Sequence, residues 1–201
     1  MSKFIDNAKK YVGVKEGTTG FINLVKYYNQ NCINLVPKNR KYQMKLTDEW
    51  CAMFCSVIAH QTGIKEFPYE VSVYYMWQRA KQLGLITDEP KQNYLVIYDW
   101  NNDGTLNHVG IVNQVVGNKI NVIEGNYDRC VKYRTIDVNS NVIHGYIRVD
   151  NVPSSVIMSD TIHQLALDVI RGKYGAGDMR KKMLGSNYNA VQKRVNEILK
   201  K

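Results

Sequence analysis

The chain has 201 residues and little of what marks a small secreted domain. It holds four cysteines, Cys32, Cys51, Cys55 and Cys130, and no C-x-x-C pair. A disulfide scaffold would be denser. Cys51 and Cys55 stand four apart on one helical face, a poor geometry for a bridge. Reduced thiols, as in a cytosol, are expected. No stretch reaches 18 apolar residues, so no segment is expected to span a membrane. The first ten residues carry Lys3, Lys9 and Lys10 and no apolar h-region, so they do not read as a signal peptide. The chain is therefore expected to be made in a host cytoplasm and to need another protein's help to reach anything outside. Basic residues are not interleaved with aromatics on one face and no nucleic-acid module is evident, which argues against a nucleic-acid partner.

What is present reads as globular. Hydrophobic residues make up 44% and charged residues 22%, ordinary values for a packed domain. The formal net charge is +9. Residues 1–150 hold 18 Lys/Arg against 14 Asp/Glu, and residues 151–201 hold nine against four, so the last quarter carries +5 of the total. Such a tail suits an anionic partner, whether nucleic acid, a membrane face or an anionic polymer such as a cell wall, with solubility alone as the alternative.

The hydrophobic period divides the chain. Residues 3–13 read as an amphipathic helix with Phe4, Ile5, Ala8, Tyr11 and Val12 on one face. A short helix follows around Phe21, Leu24, Val25 and Tyr28, then a polar loop from 29 to 46. A third helix is expected over 48–61, N-capped by Thr47 or Asp48, with Phe54, Val57 and Ile58 burying one side. A fourth is expected over 72–83. After Pro90 the period changes from 3.6 to 2. Strands are expected over 94–98, 108–116, 119–124, 132–137 and 145–149, with a hairpin turn at Gly117-Asn118. Helices followed by an antiparallel meander define an α+β domain over 1–150. Residues 151–159 read as a linker, and residues 160–201 as a three-helix module with Asp178 and Ser186 as N-caps.

The chemistry-bearing residues fall at element ends. In Trp50-Cys51-Ala52-Met53-Phe54-Cys55, Cys51 lies in the first turn of the expected helix. Free N–H groups and the positive end of the helix dipole favour a thiolate there. His108 opens an apolar strand, beside Gly110, expected to leave room for a substrate backbone. Glu124 and Asn126 close the next strand, and in a regular strand both face the same way. Thiol hydrolysis needs a nucleophile, a base and a group that orients the base. Cys51 and His108 supply the first two, with Glu124 or Asn126 as the third. Cys32, Cys55, Cys130, His60 and His144 read as structural.

These three motifs, in this order and spacing, resemble the CHAP family of cysteine, histidine-dependent amidohydrolases/peptidases, over roughly residues 1–150. The resemblance implies a papain-like fold and cleavage of a peptidoglycan amide or peptide bond. It assigns Cys51 as nucleophile, His108 as base and Glu124 as orienting group, with Asn126 in support. One departure stands out: the family's Pro-x-x-Gly-Asp run reads Pro90-Lys91-Gln92-Asn93-Tyr94 here.

Asp99-Trp100-Asn101-Asn102-Asp103-Gly104 matches the first half of a calcium loop. Asp99, Asn101 and Asp103, the Thr105 carbonyl and Asn107 are the expected ligands of a structural Ca2+. The closing glutamate is absent, its position being Gly110. The alternative is an ordinary polar turn. No cofactor is expected for the chemistry itself.

The stretch Leu165–Gly175, with Arg180-Lys181-Lys182 and Val191–Asn196, resembles the CW-seven cell-wall-binding repeat of phage lysins. That implies peptidoglycan as the partner, with Arg171, Lys173, Tyr174 and Arg180 as candidate contacts, Tyr174 stacking on a sugar. A single copy suggests weak binding or avidity through an oligomer. Together these readings describe a phage endolysin, an N-acetylmuramoyl-L-alanine amidase released through a pore made by a separate protein. A stem- or cross-bridge-cutting endopeptidase, and a non-catalytic wall-binding protein, are the alternatives.

Overall fold

The computed structural model of the chain describes residues 3–149, 162 and 165–199. The chain divides into two compact units, Met1–Pro153 and Ser154–Lys201. The linker expected at 151–159 and the start of the module at 160 lie outside the described residues.

The first unit is α+β. Its helices are α1 (Lys3–Lys9), α2 (Thr19–Tyr27), α3 (Cys51–Gln61) and α4 (Val73–Gln82). Its strands are β1 (Ile86–Thr87), β2 (Leu95–Tyr98), β3 (His108–Val116), β4 (Lys119–Tyr127), β5 (Cys130–Asp137) and β6 (Ile143–Ile147). All pairings are antiparallel, in the order β1-β6-β2-β3-β4-β5. The expected meander thus covers β2 to β5. The last strand instead returns to the far side of β2, with Ile147 opposite Leu95, and the two-residue β1 is too short to show a period. The segment expected as loop over 29–46 holds a π-turn at Tyr28–Cys32 and 3-10 turns at Ile33–Leu35 and Lys38–Arg40. Asn29 secures its far end by bonding both the N–H and the carbonyl of Met44, each at 2.9 Å.

The helix α3 is the centre of this unit. Every residue from Cys51 to Ala59 is buried, where only one buried side was expected. Strands β3 and β4 pack on one flank, and α1, α2 and the π-turn on others. A helix enclosed this way is apolar all round. Phe54, Val57 and Ile58 each contribute about 1.5–3 kcal/mol through burial. Gly125 lets β4 approach this helix: a Cβ there would fall 2.5 Å from Phe54 Cβ. The other sheet face gathers a second cluster around Tyr94, Val96, Tyr98, Val112, Val122 and Tyr146.

The second unit is helical where described. Residues 165–170 are helical, followed by α5 (Gly177–Leu184), a 3-10 turn at Gly185–Asn187 and α6 (Tyr188–Leu199). Its small core is Ala166, Val169, Leu184, Val191 and Val195. The cap position of α5 is Ala176, not Asp178, which lies inside the first turn. Ser186 sits in the 3-10 turn before α6.

Candidate active site

Cys51 is the first residue of α3 and is 5% exposed. The cap position is Trp50, which makes no side-chain cap bond. Neither Thr47 nor Asp48 caps this helix. Asp48 Oδ2 instead accepts the Lys45 N–H at 2.8 Å, closing a turn before the helix begins. The first helical hydrogen bond runs from the Phe54 N–H to the Trp50 carbonyl. The N–H groups of the first turn therefore have no partner in the helix, and the positive end of its dipole is open beside the sulfur.

His108 opens β3 and hydrogen-bonds Glu124, and the Cys51 thiol acts on its ring as well. Its Nε2 lies 3.1 Å from Glu124 Oε2, which leaves Nδ1 as the ring nitrogen for the thiol. Burial works against charge on this ring. The hydrogen bonds and charges of Cys51 and Glu124 outweigh it and push the imidazole up to about 10.

Glu124 is fully buried. Its Oε1 accepts the Tyr98 hydroxyl at 2.9 Å, and Arg134 Nε donates to both carboxylate oxygens at 2.9 Å. Tyr98 stacks between Trp100 and His108, at ring distances of 4.7 and 5.8 Å. Burial, with the Glu124 charge, holds the Tyr98 phenol well above its ordinary range, so it stays a donor.

Two expectations change here. Asn126 does not share a face with Glu124, because the β4–β5 register slips between Glu124 and Tyr127 and Asn126 takes a positive φ of 60°. Its side chain bonds Glu49 instead. Gly110 does not leave room for substrate either. A Cβ there would fall 2.5 Å from Val122 Cγ1 and 2.6 Å from Glu124 Cγ, so this glycine makes room for the acid. Arg134 and Tyr98 were not anticipated. A basic or phenolic residue mid-strand carries no local mark of its partner; only the strand register brings the two to Glu124.

The other thiols and histidines sit as structural groups. Burial pushes Cys32 up to about 12 and raises Cys55 well above the usual thiol range. His60 Nδ1 pairs with the Tyr27 hydroxyl at 2.9 Å, and His144 packs edge-on against Trp77.

The acidic loop leads into His108. Asp99 Oδ1 and Oδ2 accept the N–H groups of Asp103 at 3.3 Å and Gly104 at 2.8 Å. Asp103 Oδ1 accepts the Thr105 N–H at 2.8 Å, and hydrogen bonds from Thr105, side chain first, hold the Asp103 carboxyl below its usual range. Asn107 Oδ1 is taken by the Trp100 N–H at 3.2 Å. Among the described residues no three His, Cys, Asp or Glu side chains gather as a metal cluster.

In the second unit, Arg180 donates to the Gly175 carbonyl through Nε at 3.0 Å and Nη2 at 2.7 Å, and to Gln192 at 3.2 Å. Its role there is to tie turn to helix. Tyr174 packs against the small core and is only partly exposed. Arg171 and Lys173 are exposed and share Asp168 at 3.5 and 3.0 Å.

Helices on an antiparallel sheet, with a helix-start cysteine and a strand-start histidine, form the papain-like α+β arrangement. Residues 39–126 match the family model of the CHAP domain and residues 163–199 that of the CW_7 repeat. Among solved structures it is similar to a protein from Staphylococcus aureus subsp. aureus Mu50 described as similar to lipoprotein, NLP/P60 family, with 16% identity and a TM-score of 0.40. It is also similar to Ly7917, with 14% identity and a TM-score of 0.44. Each likeness covers 73% of this chain, which spans 40% and 61% of those chains. No curated protein matches it in sequence. The family's Gly in the Pro-x-x-Gly-Asp run is Asn93 here, at a φ of 79°. Asparagine is among the few residues besides glycine that tolerate such a backbone.

Proposed function

We propose that the protein is a cysteine-dependent peptidoglycan hydrolase, and within that class an N-acetylmuramoyl-L-alanine amidase of the endolysin type. The observation that carries this reading is the buried Glu124 bonded to His108, whose ring is acted on by the helix-start Cys51, in a chain that also matches a wall-binding repeat. In this reading Cys51 Sγ attacks the scissile carbonyl. The open N–H groups at the start of α3 stabilise the oxyanion. His108 gives its proton to the departing amine and then takes one from the water that splits the thioester. Glu124 keeps the ring in the tautomer with Nδ1 facing sulfur.

The test is digestion of purified walls followed by mass spectrometry of the fragments. A new N-terminus at the first stem alanine is expected. A new N-terminus elsewhere in the stem or cross-bridge makes the enzyme an endopeptidase and refutes the amidase reading. Cys51→Ala should abolish clearing of wall suspensions while the protein still pellets with walls. Clearing by that variant would remove the thiol mechanism. A wild-type protein that pellets but releases nothing would instead be a non-catalytic wall binder.

A further inference from the structure

We infer that Arg134 is a positioning residue for the acid–base pair: it holds the Glu124 side chain aimed at His108 Nε2 through the whole catalytic cycle. This rests on the Cys51–His108–Glu124 reading above, and its test has one readout that needs no substrate.

The register puts Lys132, not Arg134, directly opposite Glu124, with Arg134 opposite Val122. Lys132 turns away to Asp128 at 2.9 Å. Arg134 reaches the acid diagonally and places one N–H between both oxygens, at 2.9 Å from each. Its guanidinium lies over the Tyr127 ring at 3.9 Å and the Trp100 ring at 4.6 Å. Two rings, one from the end of β4 and one from the loop before β3, fix a long side chain that would otherwise lose this geometry to rotamer freedom. Trp100 in turn stacks on Tyr98, whose hydroxyl meets the same carboxylate. Every group around Glu124 is thus braced against another.

The need for a second cation follows from the proton balance. The proton of Cys51 Sγ passes to His108, then to the departing amine as the acyl–nitrogen bond breaks. A water proton next passes to His108 as the hydroxyl oxygen joins the thioester carbon, and returns to sulfur as the acid departs. Between these transfers the imidazole is neutral. In that interval a fully buried acid facing only a neutral ring and a phenol has no opposite charge beside it. Arginine remains charged at any working pH, so it supplies the countercharge when His108 does not. Glu124 then remains an acceptor for Nε2–H, and Nδ1 stays free for the next proton. A lysine would bring the charge without the planar group that stacks on both rings.

The experiment compares wild type, Arg134→Gln and Arg134→Lys on soluble muropeptides, alongside proton–nitrogen NMR of the histidine side chains without substrate. Arg134→Gln is expected to lower kcat about 10²-fold, the lower range of what placed acid–base groups contribute, with KM essentially unchanged. Arg134→Lys should recover part of that loss. The low-field His108 Nε2–H resonance should move in the Gln variant and shift less in the Lys variant. A raised KM with unchanged kcat would make Arg134 a substrate contact and overturn the inference, as would an unmoved ring proton. If the Gln variant does not fold, the Lys variant decides: kcat and ring proton equal to wild type refute the role, and a reduced kcat with a shifted proton supports it. A wild type that cleaves no muropeptide refutes the peptidoglycan reading, while the ring proton still tests Arg134.

Discussion

At the scale of single residues, His108 is where opposing effects can be weighed. Its burial alone would make the ring a neutral base, yet contacts with Cys51 and Glu124 push it from 6.5 up to about 10. The folded protein therefore binds the imidazolium more tightly than the unfolded chain does. That contribution to stability is fully present below about 6.5, the value expected when unfolded, and is lost as pH rises through about 10. In the proposed mechanism the same protonated ring is the acid that the departing amine needs. Hydrolysis should hold through pH 9 and fall on an alkaline limb near 10. In Glu124→Gln, which removes the charge on Nε2, that limb should move to lower pH. Rates across pH 6–11 for the two proteins check this, and coincident alkaline limbs would show that Glu124 does not set the ring's charge.

At the scale of elements, the termini were legible and the connections between them were not. Cys51 and His108 could be found because a helix start and a strand start are local features, marked by polar-to-apolar transitions. Glu124 and Asn126 could not be told apart, because strict alternation puts both on one face. The bulge that separates them depends on how β4 pairs with β5. The turn between those strands is Asp128-Arg129, both at positive φ (48° and 58°), the requirement of a two-residue hairpin. That pair carries none of the glycine that made Gly117-Asn118 readable. The helix cap was misplaced for a related reason: Asp48 has the right chemistry for a cap but is already committed to Lys45. The same competition decides the loop before β3, where Asp99 and Asp103 bond their own backbone. Calcium binding at Asp99, Asn101, Asp103 and Thr105 is a proposal that this turn geometry leaves open to one measurement. A hundredfold excess of calcium over its Kd should stabilise the fold by about 2.7 kcal/mol, raising the melting temperature by roughly 5–10 °C. Asp103→Asn should remove most of that rise. A melting temperature indifferent to both chelator and excess calcium would leave the loop held by its own hydrogen bonds alone.

At the scale of the molecule, charge and core are divided between two units. The chain from 151 to 201 carries nine Lys/Arg against four Asp/Glu, and its described helices close on a core of five small or aliphatic residues. So small a core leaves most of the described side chains outside, with Arg171 and Lys173 on a turn and Arg180, Lys181, Lys193 and Arg194 on helices. Arg180 bonds the Gly175 carbonyl, and Arg171 and Lys173 share one aspartate, so under the proposed function attraction to an anionic wall would come from the summed field more than from any one contact. Such attraction is screened by salt, with a Debye length of about 8 Å at physiological ionic strength. The site residues all belong to the first unit, which has its own core. Removing residues 151–201 should therefore leave cleavage of soluble muropeptides near the wild-type rate while reducing pelleting with purified walls. The full-length protein should lose pelleting as salt is raised from 50 to 500 mM, whereas the truncated form should show little left to lose. Undiminished pelleting by the truncated form would locate wall affinity in the catalytic unit, and a matching loss of muropeptide cleavage would mean that the second unit supports the fold of the first.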